Sequence, residues 1–293
     1  MDTRNVQKTG KMYYLYLPTS WCKRQNISSD SKVSLEMNDD GTITISPQLK
    51  EKKLKQINLT IPETDDDVIT KLIMACYINP TKSFKIKLEK ETDVAKLLDR
   101  KKAISSFEFV ELDGNRITYE SSVTIDDPDS LLKTMVKKIR NLINIMITNY
   151  NEELINRYEE EIDRSKTLIN KSVTSALALK MPSNLKAIEL YYTAQISQYL
   201  ERAVDNIILL DRKEVSFLKP ILPIMEDIKI FLDDIRNLDY KKAISLTKKI
   251  SAIRSPKIEN INTYGKRRIR SNLINVSEVF MDWAITKELG VTK

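Results

Sequence analysis

Over the first fifty residues, apolar and polar side chains tend to alternate one by one. From about residue 127 onward, apolar positions recur every three to four residues. The first period belongs to half-buried strands and the second to amphipathic helices. "YYLYL" (Tyr13 to Leu17), "KVSLEM" (Lys32 to Met37) and "TITIS" (Thr42 to Ser46) read as strands. "NDDG" (Asn38 to Gly41) between the last two is a hairpin signal, because Asp-Gly tolerates positive φ. "PTSWCKRQ" (Pro18 to Gln25) is a short helix or turn. A sheet this small buries little by itself and requires a partner.

"QLKEKKLKQ" (Gln48 to Gln56) reads as a linker or an exposed approach to a strand. Strands follow at "INLTI" (Ile57 to Ile61) and "SFKIKLE" (Ser83 to Glu89), with a helix between them at "DDVITKLIMACYI" (Asp66 to Ile78). A second helix is predicted at "TDVAKLLDRKKAI" (Thr92 to Ile104). Two strands then flank Asp113-Gly114 within residues 107–125. The order β-α-β-α-β-β predicts a compact α+β domain within 51–126. Beyond it, six helices are predicted over roughly 129–149, 151–180, 182–209, 212–236, 239–254 and 257–289. Asp127 or Asp129 would serve as the first cap and Pro128 would lie in the first turn. The short connections predict antiparallel neighbours.

Composition narrows the function. The 293 residues include only 5 glycines and 9 prolines, which favours long helices over a turn-rich β fold. The chain has no histidine. That removes Ser-His-Asp and Cys-His catalysis, which need an imidazole to move the proton. Cys22 and Cys76 cannot complete a zinc site or form a disulfide framework. The glycines are scattered and build no phosphate-cradling loop. The expectation is a protein that is not an enzyme. No apolar run reaches the length of a membrane span, and the N-terminus lacks the apolar core of a secretory signal. The expected location is therefore cytoplasmic. A net charge of +7, from 48 basic and 41 acidic residues, is a weak pointer to polyanions.

The helical half repeats itself. "YLERAVDNII" (Tyr199 to Ile208) and "VSEVFMDWAI" (Val276 to Ile285) each carry Glu-x-x-x-Asp near the end of a third helix, as Glu201/Asp205 and Glu278/Asp282. This pattern divides the six helices into two units of three. The second helix holds a related pair, Glu159 and Asp163, in "YEEEIDR", whereas its counterpart "YKKAISLTKKI" has no acid. Residues four apart share a helix face, so each pair repels itself mildly and a cation would turn that cost into a gain. All-oxygen ligation suits Mg²⁺, Ca²⁺ or Mn²⁺, with iron a further candidate. The same pairs could instead lie on a solvated face or meet basic residues of a neighbouring helix. "YGKRRIR" (Tyr264 to Arg270) reads as a solvated face paired with acids such as Asp233, Asp234 and Glu259, with contact to DNA or to a membrane-side partner as its other use. Trp21 and Trp283 read as core or interface anchors.

Taken in order, three stretches resemble archaeal PhoU-domain proteins with an AbrB/MazE-type N-terminal domain. "VQKTG…YYLYLPTSW" with "SKVSLEMNDDGTITISP" is similar to the swapped-hairpin (SpoVT-AbrB) domain. "ITKLIMACYI…FKIKL" with "ITYESSVTIDDPDSL" is similar to the segment that joins it to the helices. "EEEIDR" and "YLERAVDNI" resemble the acidic motif of the PhoU repeat. The resemblance implies a mainly α, multidomain chain. Its parts would be a swapped-hairpin β domain over 1–50, an α+β domain over 51–126 and a PhoU-like bundle of two three-helix repeats over 127–293. It also implies a homodimer through the β domain. DNA phosphates would be contacted by Arg4, Lys8, Lys11, Lys23 and Arg24, which read without the resemblance as a solvated basic surface. Carboxylates at Glu159, Asp163, Glu201, Asp205, Glu278 and Asp282 would hold metal. The implied function is a phosphate-uptake regulator that binds promoter DNA and senses metal, phosphate status or a partner. The alternative is an interaction module that docks on a phosphate transporter ATPase or its signalling partner and uses the β domain only to dimerise.

Overall fold

The computed structural model describes residues 3–38, 41–47, 55–91, 109–113, 115–120, 127–179 and 183–290. The helix expected at Thr92 to Ile104 and most of the stretch from Gln48 to Gln56 lie outside these. The chain divides into two compact units, Met1–Lys53 and Leu54–Lys293.

The first unit, the β head, contains two hairpins. Strands β1 (Gln7–Thr9) and β2 (Met12–Tyr14) pair antiparallel across a two-residue loop. That loop is possible because Gly10 adopts φ +62°. The predicted strand at Tyr13 to Leu17 therefore begins one residue earlier and stops at Tyr14, since β1 offers only three rungs. Helix α1 (Thr19–Arg24) follows Pro18. Strands β3 (Ser34–Met37) and β4 (Ile43–Ser46) form the second hairpin, and Gly41 there sits at φ +79°. The Asn38 amide fastens this turn by donating to Thr42 Oγ1 at 2.8 Å and Thr44 Oγ1 at 3.0 Å. Among the described residues of the head, not one is buried.

The second unit begins with a four-stranded sheet of order β5-β6-β8-β7, built from β5 (Lys55–Ile61), β6 (Thr81–Leu88), β7 (Phe109–Asp113) and β8 (Arg116–Glu120). Helix α2 (Asp66–Ile78) connects the parallel pair β5 and β6. Asp65 caps it by accepting from the backbone N–H groups of Asp67 and Val68. Register brings like residues together. Leu59, Ile86 and Ile117 form one cross-strand row, and Ile57, Phe84 and Tyr119 form the next. With Ile69, Ile73 and Tyr77 of α2 they make a small separate core.

The bundle starts at α3 (Pro128–Thr148), capped by Asp127 with Pro128 in the first turn as the sequence predicts. It continues with α4 (Glu152–Leu179) and α5 (Ala187–Ile208). The single helix expected over 212–236 is instead a 3₁₀ segment, Arg212–Leu218, followed by α6 (Ile221–Asp233) and a 3₁₀ turn, Ile235–Asn237. The cause is local. Pro220 has no N–H to donate, and with Pro223 it fits only a helix beginning, not a helix interior. Helices α7 (Tyr240–Ser251) and α8 (Ile261–Glu288) complete the bundle. Helix α8 begins after Pro256 and the Asn260 cap, four residues later than expected. Within each half, the second helix packs on the third. The two halves join through equivalent elements, with α3 on α6 and α5 on α8. One continuous core fills the bundle, with Leu132, Met135, Ile139, Ile162, Ile196, Ile228, Phe280 and Trp283 all essentially inaccessible. Among the described residues, no helix is long and apolar enough to cross a membrane.

Candidate carboxylate site

Helices α4 and α5 pack against each other, and both bury apolar residues, among them Ile155, Ile162 and Ile169 on α4 and Ile196, Leu200 and Val204 on α5. Acidic residues flank this seam. Glu159 and Asp163 are one turn apart on α4, and Glu201 and Asp205 one turn apart on α5. Oxygen atoms of Asp163, Glu201 and Asp205 come within 4.8 Å of one another. Glu159 joins the group electrostatically through Asp205. Thus four of the six predicted carboxylates form one cluster across two helices.

The cluster opposes its own ionisation. Partial burial, then Glu201 and Glu159, pushes the Asp163 carboxyl up to about 6. Burial, then Glu201 and Asp163, pushes Asp205 up to about 6 as well. Burial followed by the Asp205 charge raises Glu159. One cation answers them directly, Lys166, whose Nζ donates to Glu201 Oε1 at 2.9 Å. Lys166 lies one turn beyond Asp163 on α4 and lowers the pKa of both aspartates. Arg202 also lowers the pKa of Asp205, and four carboxylates against these two cations leave an excess of negative charge.

The donor set fits a hard divalent cation. All ligand atoms are carboxylate oxygens, and ligand distances of about 2.3–2.6 Å for Ca²⁺ allow oxygens of one shell to stand up to about 5 Å apart. An ion bound there would compete with Lys166 for Glu201 or use that residue's other oxygen.

The rest of the acidic motif has other roles. Glu161 accepts from Lys138 at 2.9 Å and from Arg164 at 2.7 Å, which holds its carboxyl below the ordinary range. Glu160 lies 3.8 Å from Arg164. Glu278 and Asp282 are exposed on α8 and stand outside the cluster. The helix packed beside them in their own half is α7, which carries lysines and no acid. Trp283 is fully buried against Tyr192, with ring centroids 5.6 Å apart, and its indole N–H donates to Glu189 Oε1 at 3.3 Å. Trp21 is half-buried.

In the head, Arg4, Lys8, Lys11, Lys23 and Arg24 are all exposed. The Lys8 ammonium rests 5.3 Å from the centre of the Tyr13 ring, its cross-strand neighbour.

The sequence reading missed one residue that links the bundle to the sheet. Lys171 of α4 is 6% exposed, and its ammonium lies 3.8 Å from the centre of the Tyr77 ring on α2. It also donates to Tyr119 Oη of β8 at 3.3 Å. Burial lowers its pKa to about 8. A lone lysine on the apolar side of a helical pattern was the available signal, but its aromatic partners lie some fifty and ninety residues away in the chain.

Comparison with models of known protein families, with curated proteins and with solved structures gave no match.

Proposed function

We propose that the chain is a dimeric DNA-binding regulator of phosphate uptake whose helical body responds to a divalent cation. The observation that carries this reading is the state of the head. It has no buried side chain among its described residues, it leaves Met12, Tyr13, Tyr16, Leu35, Met37 and Ile43 more than 60% exposed, and its basic residues face solvent. Apolar residues left bare on that scale, most of them on strands, require a covering surface, and a second copy of the same two hairpins supplies one of matching shape and period. The resemblance to swapped-hairpin domains supports that partner and the use of Arg4, Lys8, Lys11, Lys23 and Arg24 on DNA phosphates. The resemblance to PhoU-domain proteins supplies phosphate uptake as the process. The carboxylate cluster of Asp163, Glu201, Asp205 and Glu159 is where the body would sense the cation.

The second reading is the docking module for a phosphate transporter ATPase or its signalling partner. It is favoured by the modest charge of the head, seven basic against five acidic residues over 1–50. Fluorescence anisotropy separates the two, on promoter DNA of phosphate-transport genes against scrambled DNA across a salt series, with and without Ca²⁺ or Mn²⁺. The regulator predicts sequence-selective binding that changes with the cation. Equal, weak binding to every sequence would leave the docking module.

A further inference from the structure

Charge is distributed very unevenly along this chain. Between Tyr240 and Ser277 there are ten basic residues and one acidic residue, whereas the whole chain has 48 against 41, so that the remainder holds 38 against 40. The entire positive surplus of the protein therefore resides on α7, α8 and the loop between them.

The structure also shows that these charges are largely uncompensated, contrary to the pairing expected from the sequence. Asp233 faces Lys229 at 3.9 Å, and Asp234 accepts from the Asn237 amide at 2.8 Å. Two basic residues of the run do have acidic partners, Lys249 with Asp227 and Lys266 with Glu214. Arg270 is taken up by the end of α7, donating to the carbonyls of Ile253 and Ser251 at 3.0 and 3.2 Å. Those two bonds place the last turn of α7, with Lys248, beside the early turns of α8, with Arg267 and Arg268. Among the described residues, Lys241, Lys248, Arg254, Lys257, Arg267 and Arg268 have no carboxylate within ion-pair distance, and all six are exposed. Like charges gathered without counter-charges repel one another and lower stability, a cost that a bound polyanion removes.

We infer that the exposed α7–α8 face is a docking surface for the sugar-phosphate backbone of duplex DNA. Three features favour a duplex. Half of the unpaired cations are arginines, whose planar forks match phosphate oxygens. The charges extend along both helices, from Lys241 to Arg268, instead of surrounding one tip. Tyr264 is 45% exposed one turn before Arg267 and Arg268, so an aromatic ring interleaves with the cations. An anionic bilayer is the competitor, because Ile258 in the connecting loop and Ile261 at the start of α8 are also exposed. The surface has no base-reading element assigned to it, so it contributes affinity and salt dependence but no sequence choice. The inference does not rest on the head binding DNA.

The test uses the full chain on a 24-base-pair duplex of arbitrary sequence, with affinity followed across a salt series, and on vesicles of phosphatidylglycerol and phosphatidylcholine. A body variant replaces Lys241, Lys248, Arg254, Arg267 and Arg268 with Gln. A head variant replaces Lys8, Lys11 and Lys23 with Gln. A third variant carries Arg254→Lys, Arg267→Lys and Arg268→Lys, which keeps the charge and checks that loss does not come from misfolding. The body variant is expected to bind the duplex at least tenfold more weakly. The slope of log affinity against log salt should fall by about 0.9 for each phosphate that the variant no longer neutralises. The lysine variant should keep the slope. Unchanged affinity and slope in the body variant would overturn the inference, as would binding to vesicles without binding to the duplex. If only the head variant loses DNA, the α7–α8 surface is refuted while the proposed regulator stands. If only the body variant loses DNA, and promoter selectivity is absent, the surface stands and the regulator falls.

Discussion

The β head and the helical body treat apolar side chains in opposite ways. In the body, Leu132, Met135, Val136 and Trp283 are wholly inaccessible within one continuous core. In the head, Leu35 is 66% exposed, Tyr13 69% and Met37 85%. Both regions carry the apolar pattern proper to their secondary structure. The difference is that a 28-residue helix such as α4 finds its partners within the same chain, whereas two hairpins of three- and four-residue strands cannot cover each other. Pattern specifies which face must be buried and leaves open which molecule buries it.

The largest expected contrast comes from core truncation in the body. Trp283→Ala should cost about 3–5 kcal/mol, visible as a large fall in the denaturant midpoint, because it empties a site shared by α5 and α8. The equivalent change in the head should leave that midpoint alone. Leu35→Glu with Met37→Glu should not lower the melting of the body but should weaken self-association by about a hundredfold, which is about 2.7 kcal/mol. A matching loss of body stability would show that the stability of the body depends on these head residues.

Next in size is the link between sheet and bundle. Tyr77→Leu removes the ring beneath the Lys171 ammonium and should cost about 2 kcal/mol by thermal or urea unfolding. Lys171 also sets a pH dependence. Its folded pKa, about 8, lies below the ordinary lysine value of 10.5. The folded state therefore releases the proton first, and stability should rise as pH climbs from about 8 towards 10.5. Lys171→Met should flatten that rise.

The smallest effect belongs to the carboxylate cluster. Asp163 and Asp205 have folded pKa values near 6, above their unfolded ones. The folded state holds extra protons between about pH 4 and 6, so this contribution is present in acid and lost as pH rises through 6. Asp163→Asn should therefore raise the melting temperature of cation-free protein slightly at pH 7.5 and leave it unchanged at pH 4. Solvent screening keeps the gain below about 1 kcal/mol. Added Ca²⁺ or Mn²⁺ should raise the melting temperature of the native chain but not that of Asp163→Asn with Asp205→Asn. A cation effect that survives both substitutions would place the ions elsewhere.

Much of this architecture is legible from the residues. Helix α2 coincides with its apolar spacing, because Asp65 caps it where the period begins. The break at Pro220 was written in the chain but is easily lost inside an otherwise helical period. Glu201 and Asp205 are visible as a pair one turn apart, and so are Glu278 and Asp282. What distinguishes them is the opposing helix. Helix α4 faces the first pair with Glu159 and Asp163, while α7 beside the second brings lysines. The partners Lys166 to Glu201 and Lys171 to Tyr77 join residues 35 and 94 positions apart, and no local period encodes such a meeting.

Sedimentation velocity of the full chain over a concentration range from nanomolar to micromolar decides whether the head pairs with a second copy. The bare apolar strands of the head predict a species of twice the chain mass that persists to low concentration and is lost in the Leu35→Glu, Met37→Glu variant. A monomer at every concentration, with the head still folded, would mean that the bare strands are not a dimer surface.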